Sequence, residues 1–126
     1  MSGVTYDNGA LLAGEAGKQS VWSLHDELRR RRGRPVVPSV VLAQAWRGGP
    51  QPMLSRLLRG CVVEPFTEVM ARRAGQLIAK AGTADVVDAA VVISAAARRD
   101  LVLTSDPDDL GMLVEVLGVP LRLQQV

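Results

Sequence analysis

This 126-residue sequence is short of several chemically versatile residues: one cysteine, one histidine, two lysines and 3% aromatics. Cys61 alone cannot close an internal disulfide, which points to a reducing, cytoplasmic setting. It heads the apolar run CVVEPF and reads as a small core residue. A single histidine, His25, on the charged side of its predicted helix leaves no basis for a Ser- or Cys-based hydrolase. One Cys and one His likewise argue against a zinc site. Neither a P-loop nor a G-x-G-x-x-G motif occurs. No apolar run approaches the ~18 residues of a membrane span. The start, MSGVTYDNG, has no basic segment and no long apolar core, which argues against secretion. With so few aromatics, base stacking cannot be the main grip on a nucleic acid.

What is present is aliphatic and arginine-rich. Hydrophobic residues make up 48% of the chain, enough for one core, and the length fits a single domain over residues 1–126. Positive charge is almost all arginine, whose planar fork suits phosphate oxygens. Short β-type runs alternate with helical patterns from end to end. Strands are expected at GVTY, PVV, within CVVEPF, at LVLT and in PLRLQQ. Helices are expected at ALLAGEAG, at SVWSLHDELRRRRG with Ser20 as N-cap and Gly33 as stop, and after Pro38-Ser39. More follow at PMLSRLLRG, from Thr67 to Ala81, at DVVDAAVVISAAARRD and at PDDLGMLVEVLG. Such alternation, with strands lacking polar alternation, predicts an α/β fold around a mostly parallel sheet. Ligands of such folds bind beyond the carboxyl ends of the strands.

Acids gather at those ends. Asp7 follows VTY, Asp106 follows LVLTS, and Asp85 and Asp88 open the helix leading into LVLT. Each also reads as a turn or cap residue, since DNG is a turn signal and both D-x-x-D stretches resemble capping boxes. Convergence is harder to explain by caps. Two carboxylates about 4 Å apart repel by roughly 4 kcal/mol at an effective dielectric near 20. A hard divalent cation with oxygen ligands removes that cost. Gln44, three and four residues after Val41 and Val40, is predicted to share their apolar face, where an amide needs partners.

The stretches VTYDNGALLA, VVPSVVLAQAWRGG, TADVVDAAVVISAA and LVLTSDPDDL, in this order and spacing, resemble PIN-domain proteins. The likeness is greatest to the VapC-type toxin ribonucleases of bacterial toxin–antitoxin pairs. It implies a three-layer α/β/α fold with a central, mostly parallel five-stranded sheet, Mg²⁺ or Mn²⁺ as cofactor, and RNA hydrolysis. By motif, Asp7, Asp88 and Asp106 match the metal-binding acids, and Thr104 matches the threonine of the T-x-D motif. Asp85 and Asp109 are auxiliary acids. The family usually places Glu where this sequence has Gln44, so an alternative is a catalytically weakened domain that binds RNA or protein. The resemblance also implies a cognate antitoxin and a homodimer. A receiver- or phosphatase-type protein fits poorly, because no lysine follows the last strand and YDNGA lacks paired acids.

The run RRRRGR can serve as the cationic end of a helix before Gly33. It can also track RNA phosphates, with Arg29, Arg30, Arg31 and Arg32 beside the acidic site and Arg47 near Gln44. Trp22 and Trp46 read as packing residues.

Overall fold

The computed structural model describes residues 3–126; Met1 and Ser2, which the readings of the domain and of the N-terminal segment include, lie outside the described residues. Five strands form one sheet: β1 (Val4–Tyr6), β2 (Val36–Pro38), β3 (Val62–Glu64), β4 (Leu101–Thr104) and β5 (Leu123–Gln125). Their order is β3-β2-β1-β4-β5 and every pairing is parallel. The expected PIN-like three-layer α/β/α arrangement is present, with a sheet parallel throughout rather than mostly so.

Helices α1 (Asn8–Glu15), α2 (Gln19–Arg30), α3 (Ser39–Ala45) and α4 (Pro52–Arg59) link β1 to β2 and β2 to β3. Helices α5 (Glu68–Ala81), α6 (Val86–Arg98) and α7 (Pro107–Leu117) link β3 to β4 and β4 to β5. Right-handed crossovers that run in opposite directions along the sheet put these two groups on opposite faces. Accordingly α1 packs on α2, α3 and α4, while α5, α6 and α7 pack on one another. Connections leave β1 and β4 in opposite directions, so a crevice opens between their carboxyl ends.

The core is aliphatic, as composition requires. Tyr6, Leu11, Val37, Val41, Leu54, Leu57, Val91, Val92, Val102, Leu110 and Leu113 are buried. The expectation of strands covered on both faces holds for the centre but not for the rim. Val62 and Val63 are 40% and 39% exposed because β3 is an edge strand. Cys61 is buried as expected; its Sγ donates to Leu57 O at 3.3 Å, and burial pushes the thiol up to about 12.

Three local readings change. The start of α2 is capped at Lys18 with no side-chain bond, rather than at Ser20. Its end is a Schellman turn whose left-handed residue is Arg32 (φ 60), with Gly33 N–H donating to Leu28 O at 2.8 Å. His25 is not on a charged face. It is fully buried, with Nδ1 3.0 Å from the Tyr6 hydroxyl and its ring edge-on to Trp22. Burial and then Arg29 push its pKa down, so the imidazole is neutral at pH 7. Trp22 packs as expected, donating Nε1–H to Gly14 O at 2.8 Å under the Arg56 guanidinium. Trp46 does not; it is 44% exposed.

A polar tie fastens α6 to the sheet. Arg98 Nη1 meets Glu64 Oε2 at 2.7 Å, Nε meets Asp100 Oδ2 at 2.9 Å, and Nη2 reaches Thr5 Oγ1 at 3.0 Å. Asp100 is only 3% exposed, so loss of the guanidinium would strand a buried carboxylate. Arg98→Met is expected to cost about 3 kcal/mol in urea unfolding. Adding Asp100→Asn should recover part of it, whereas an undiminished deficit in the double variant would show that packing, not charge, is lost.

Candidate active site

Register builds the crevice. Tyr6 lies opposite Leu103 in the β1–β4 pair, so the next residues, Asp7 and Thr104, face each other. Asp7 ends β1 and caps α1, its Oδ1 accepting Ala10 N–H at 3.2 Å. Its Oδ2 accepts the Thr104 hydroxyl, and the same Thr104 oxygen accepts Asp106 N–H at 2.9 Å. Thr104 is fully buried and Asp7 only 8% exposed. One hydroxyl therefore fixes the carboxylate at the end of β1 against the loop that leads into α7.

The cap readings hold, for two of the acids at this sheet edge. Asp106 caps α7 through Asp109 N–H at 3.4 Å, with Pro107 in the first turn. Asp85 caps α6 through Asp88 N–H at 2.9 Å. Capping spends one oxygen of each carboxylate and leaves the other facing its neighbours.

Their mutual electrostatics show the convergence. Asp88 is pushed up to about 6, first by burial and then by Asp85, Asp109 and Asp7. Burial raises Asp7 as well, Asp106 adding to it against the bonds from Thr104, Ala10 and Gly9. Asp109, fully exposed, is raised by its contact with Asp106. Asp7, Asp85, Asp88, Asp106 and Asp109, from three segments, thus feel one another at one sheet edge.

A group whose folded pKa lies above its unfolded value near 3.8 binds the extra proton in the native state. Asp88's contribution is therefore fully present below about pH 4 and lost as pH rises through 6. In EDTA, the melting temperature should fall between pH 4.5 and 7. After discounting for solvent, Asp88→Asn should remove about 1–2 kcal/mol of that slope. An unchanged slope in the variant would assign it to other acids.

Gln44 departs from its expected placement. It is exposed, with no hydrogen bond to a described residue, because the seven-residue α3 buries Val41 and Ala45 instead. Its helix does pack against α6, which carries Asp88. The arginine run falls elsewhere than expected. Arg29 to Arg32 end α2, and Arg34 precedes β2, at the edge where strands begin. The carboxylates lie where strands end. Arg47 donates to Trp46 O at 2.9 Å, in the loop after α3.

Two neighbours of Asp7 escaped the sequence reading. Asn8 has its side-chain oxygen buried without a partner among the described residues. Gly9 lies so close to the β4–α7 loop that a Cβ there would sit 2.1 Å from Ser105 Oγ and 2.7 Å from its backbone nitrogen. DNG signals a turn; its glycine is needed for an approach to a residue far along the chain.

The donor set suits a hard divalent cation, being all oxygen and mutually repelling. Among the described residues no three His, Cys, Asp or Glu side chains converge closely enough to cage an ion. Mg²⁺ does not need a cage, since it keeps several waters and binds through one or two carboxylates.

No family profile and no curated protein matches the sequence. Solved structures do match its fold. A chain in VapBC2 from Rickettsia felis, bound to a DNA fragment from their promoter, superposes with a TM-score of 0.71 at 15% identity, over 98% of each chain. DNA-bound VapBC from Salmonella typhimurium gives 0.66 at 15% identity, covering 99% of this chain and 98% of that one. FitAB bound to the IR36 DNA fragment gives 0.65 at 13% identity, covering 97% and 94%. At such identities the likeness is one of fold, and it spans both chains almost entirely.

Proposed function

We propose that this chain is a Mg²⁺- or Mn²⁺-dependent endoribonuclease, the toxin of a toxin–antitoxin pair. The observation that carries the reading is the group of mutually repelling carboxylates around Asp7, Asp88 and Asp106 at the crevice between β1 and β4. Asp7, Asp88 and Asp106 would hold the cation, one or two of them directly and the rest through its waters, with Asp85 and Asp109 as outer acids. When bound, the ion supplies an acidified water and charge neutralisation for phosphodiester hydrolysis. The chain's own part is to hold these groups close together and aimed. Thr104 holds Asp7 by its hydroxyl and Asp106 by its backbone. Burial and crowding hold the proton on Asp88 up to about 6, so the site is fully charged only above that pH.

The structural likeness to VapBC and FitAB complexes supports an antitoxin partner. An apolar groove of about 460 Å³ lined by Leu42, Ala43, Trp46 and Leu58 offers a protein such a surface. Homodimer formation and a cytoplasmic setting follow from the same reading. No helix among the described residues is long and apolar enough to cross a membrane.

Purified protein should cleave unstructured RNA with Mg²⁺ or Mn²⁺ and stop in EDTA. Metal-independent cleavage would point to a contaminant or another chemistry. Exposed Gln44 supports a second reading, a weakened PIN-like domain that binds RNA or protein. Gln44→Glu adds a charge on the helix that packs against α6. A rise of tenfold or more in cleavage would favour the weakened domain, and an unchanged rate the working enzyme.

A further inference from the structure

At the edge of the sheet opposite the carboxylates, α2 and α4 end side by side. Arg29, Arg32, Arg34 and Arg59, with Gly33 and Gly60, line a shallow pocket of about 250 Å³. No acidic residue lines it. Arg34 is anchored by Nη2–H donating to Cys61 O at 2.6 Å. Arg29, Arg32 and Arg59 make no ion pair or side-chain hydrogen bond with any described residue.

Helix-end chemistry accounts for only part of this charge. Each helix C-terminus carries roughly half a negative charge. Asp26 sits beside Arg29 in an adjoining depression, while Glu27 is already paired with Arg30 and Arg31. Two helix ends and Asp26 together offset about two of the four guanidinium charges, and about two remain. His25 adds none, being neutral beneath Gly60, where a Cβ would meet its Nε2 at 2.5 Å.

The backbone supports the same conclusion. Arg32 takes the left-handed position of the Schellman turn, a conformation that side chains disfavour, although glycine is the next residue. Gly60 lines the pocket beside the arginines, and a Cβ there would run into the buried His25 ring beneath it. Guanidinium forks gathered around one pocket match a tetrahedral oxyanion, whose oxygens each can engage in pairs.

We propose that this pocket is a second phosphate site, seating a backbone phosphate of a single-stranded RNA whose scissile bond lies in the carboxylate crevice. The identity of the polyanion rests on the nuclease reading; the pocket itself does not. The strands between the two edges are three or four residues long, about 10–13 Å at roughly 3.3 Å per residue.

The test is binding of a labelled 12-nucleotide unstructured RNA to the full chain carrying Asp7→Asn, followed by anisotropy from 50 to 300 mM salt. Arg29→Gln/Arg32→Gln/Arg59→Gln should weaken binding at least tenfold at low salt. It should also flatten the log–log salt slope by about 1.4, the equivalent of two single-strand phosphates. Arg72→Gln/Arg73→Gln/Arg122→Gln removes the same charge from exposed sites elsewhere and should do much less. Equal losses in the two triple variants would overturn the proposal. So would tighter binding of a poly-glutamate peptide that depends on the same three arginines, since the occupant would then be an acidic protein segment. Pocket-dependent RNA binding without cleavage by the wild type would keep this site and sink the nuclease reading. Cleavage with binding indifferent to the pocket would do the reverse.

Discussion

Asp7→Asn is expected to lower metal-dependent RNA cleavage about a thousandfold while raising the melting temperature at neutral pH. The loss follows from removing the most deeply placed charge in the crevice. The gain follows from the sign of its pKa shift. Burial lifts Asp7 above its unfolded value, so the fold favours the protonated form, and the stability this confers disappears as pH rises. At pH 7 the ionised group works against folding, and an amide does not. Asparagine also caps a helix as well as aspartate does, so Ala10 N–H keeps its acceptor. The Thr104 hydroxyl can turn to accept from the new amide. Initial rates on an unstructured RNA and a thermal melt at pH 7.5 in EDTA decide the matter. Wild-type cleavage by the variant would remove this sheet edge from the chemistry, and a lower melting temperature would make Asp7 a structural cap first.

Gly9→Ala should unfold the protein more readily, by about 3 kcal/mol in urea. One methyl group would enter the space already held by the Ser105 side chain and backbone. The side chain can move, but the backbone nitrogen is fixed by the turn into α7. The clash would therefore push α1 away from the β4–α7 loop, and the Asp7–Thr104–Asp106 linkage would open with it. Ser105→Gly in the same background should restore part of the stability by removing the nearer obstacle. If Gly9→Ala alone is as stable as the wild type, the two segments are not in the contact described.

The alternation of strands and helices was legible because each element carries its own periodic signal. The strand-end acids could be found because parallel sheets present ligands there, and because D-x-x-D stretches mark helix starts. Signals failed where the deciding partner lies far along the chain. Gly9 answers to Ser105, and Arg98 answers to Glu64, Asp100 and Thr5; no local pattern contains those pairings. His25 is a different case, since Val21, His25 and Leu28 follow the buried helical spacing and the polar neighbours Asp26 and Glu27 masked it. Gln44 is exposed because a seven-residue helix buries too narrow a stripe to include both Val41 and its third neighbour. The arginine run lies away from the acids, and sequence order does not reveal which edge of the sheet a helix end reaches. Only the β-α-β path shows that α2 must finish where β2 starts.

The pairing of β1 with β4 also governs when the crevice can exist. Its two walls come from residues 7 and 104, with the whole of α1 to α6 between them. On a ribosome adding about 5–20 residues per second, the first strand waits several seconds for its partner. No amino-terminal fragment lacking β4 can assemble the carboxylate group. A chain that cuts RNA would therefore stay inert until β4 has left the machinery that made it and paired with β1.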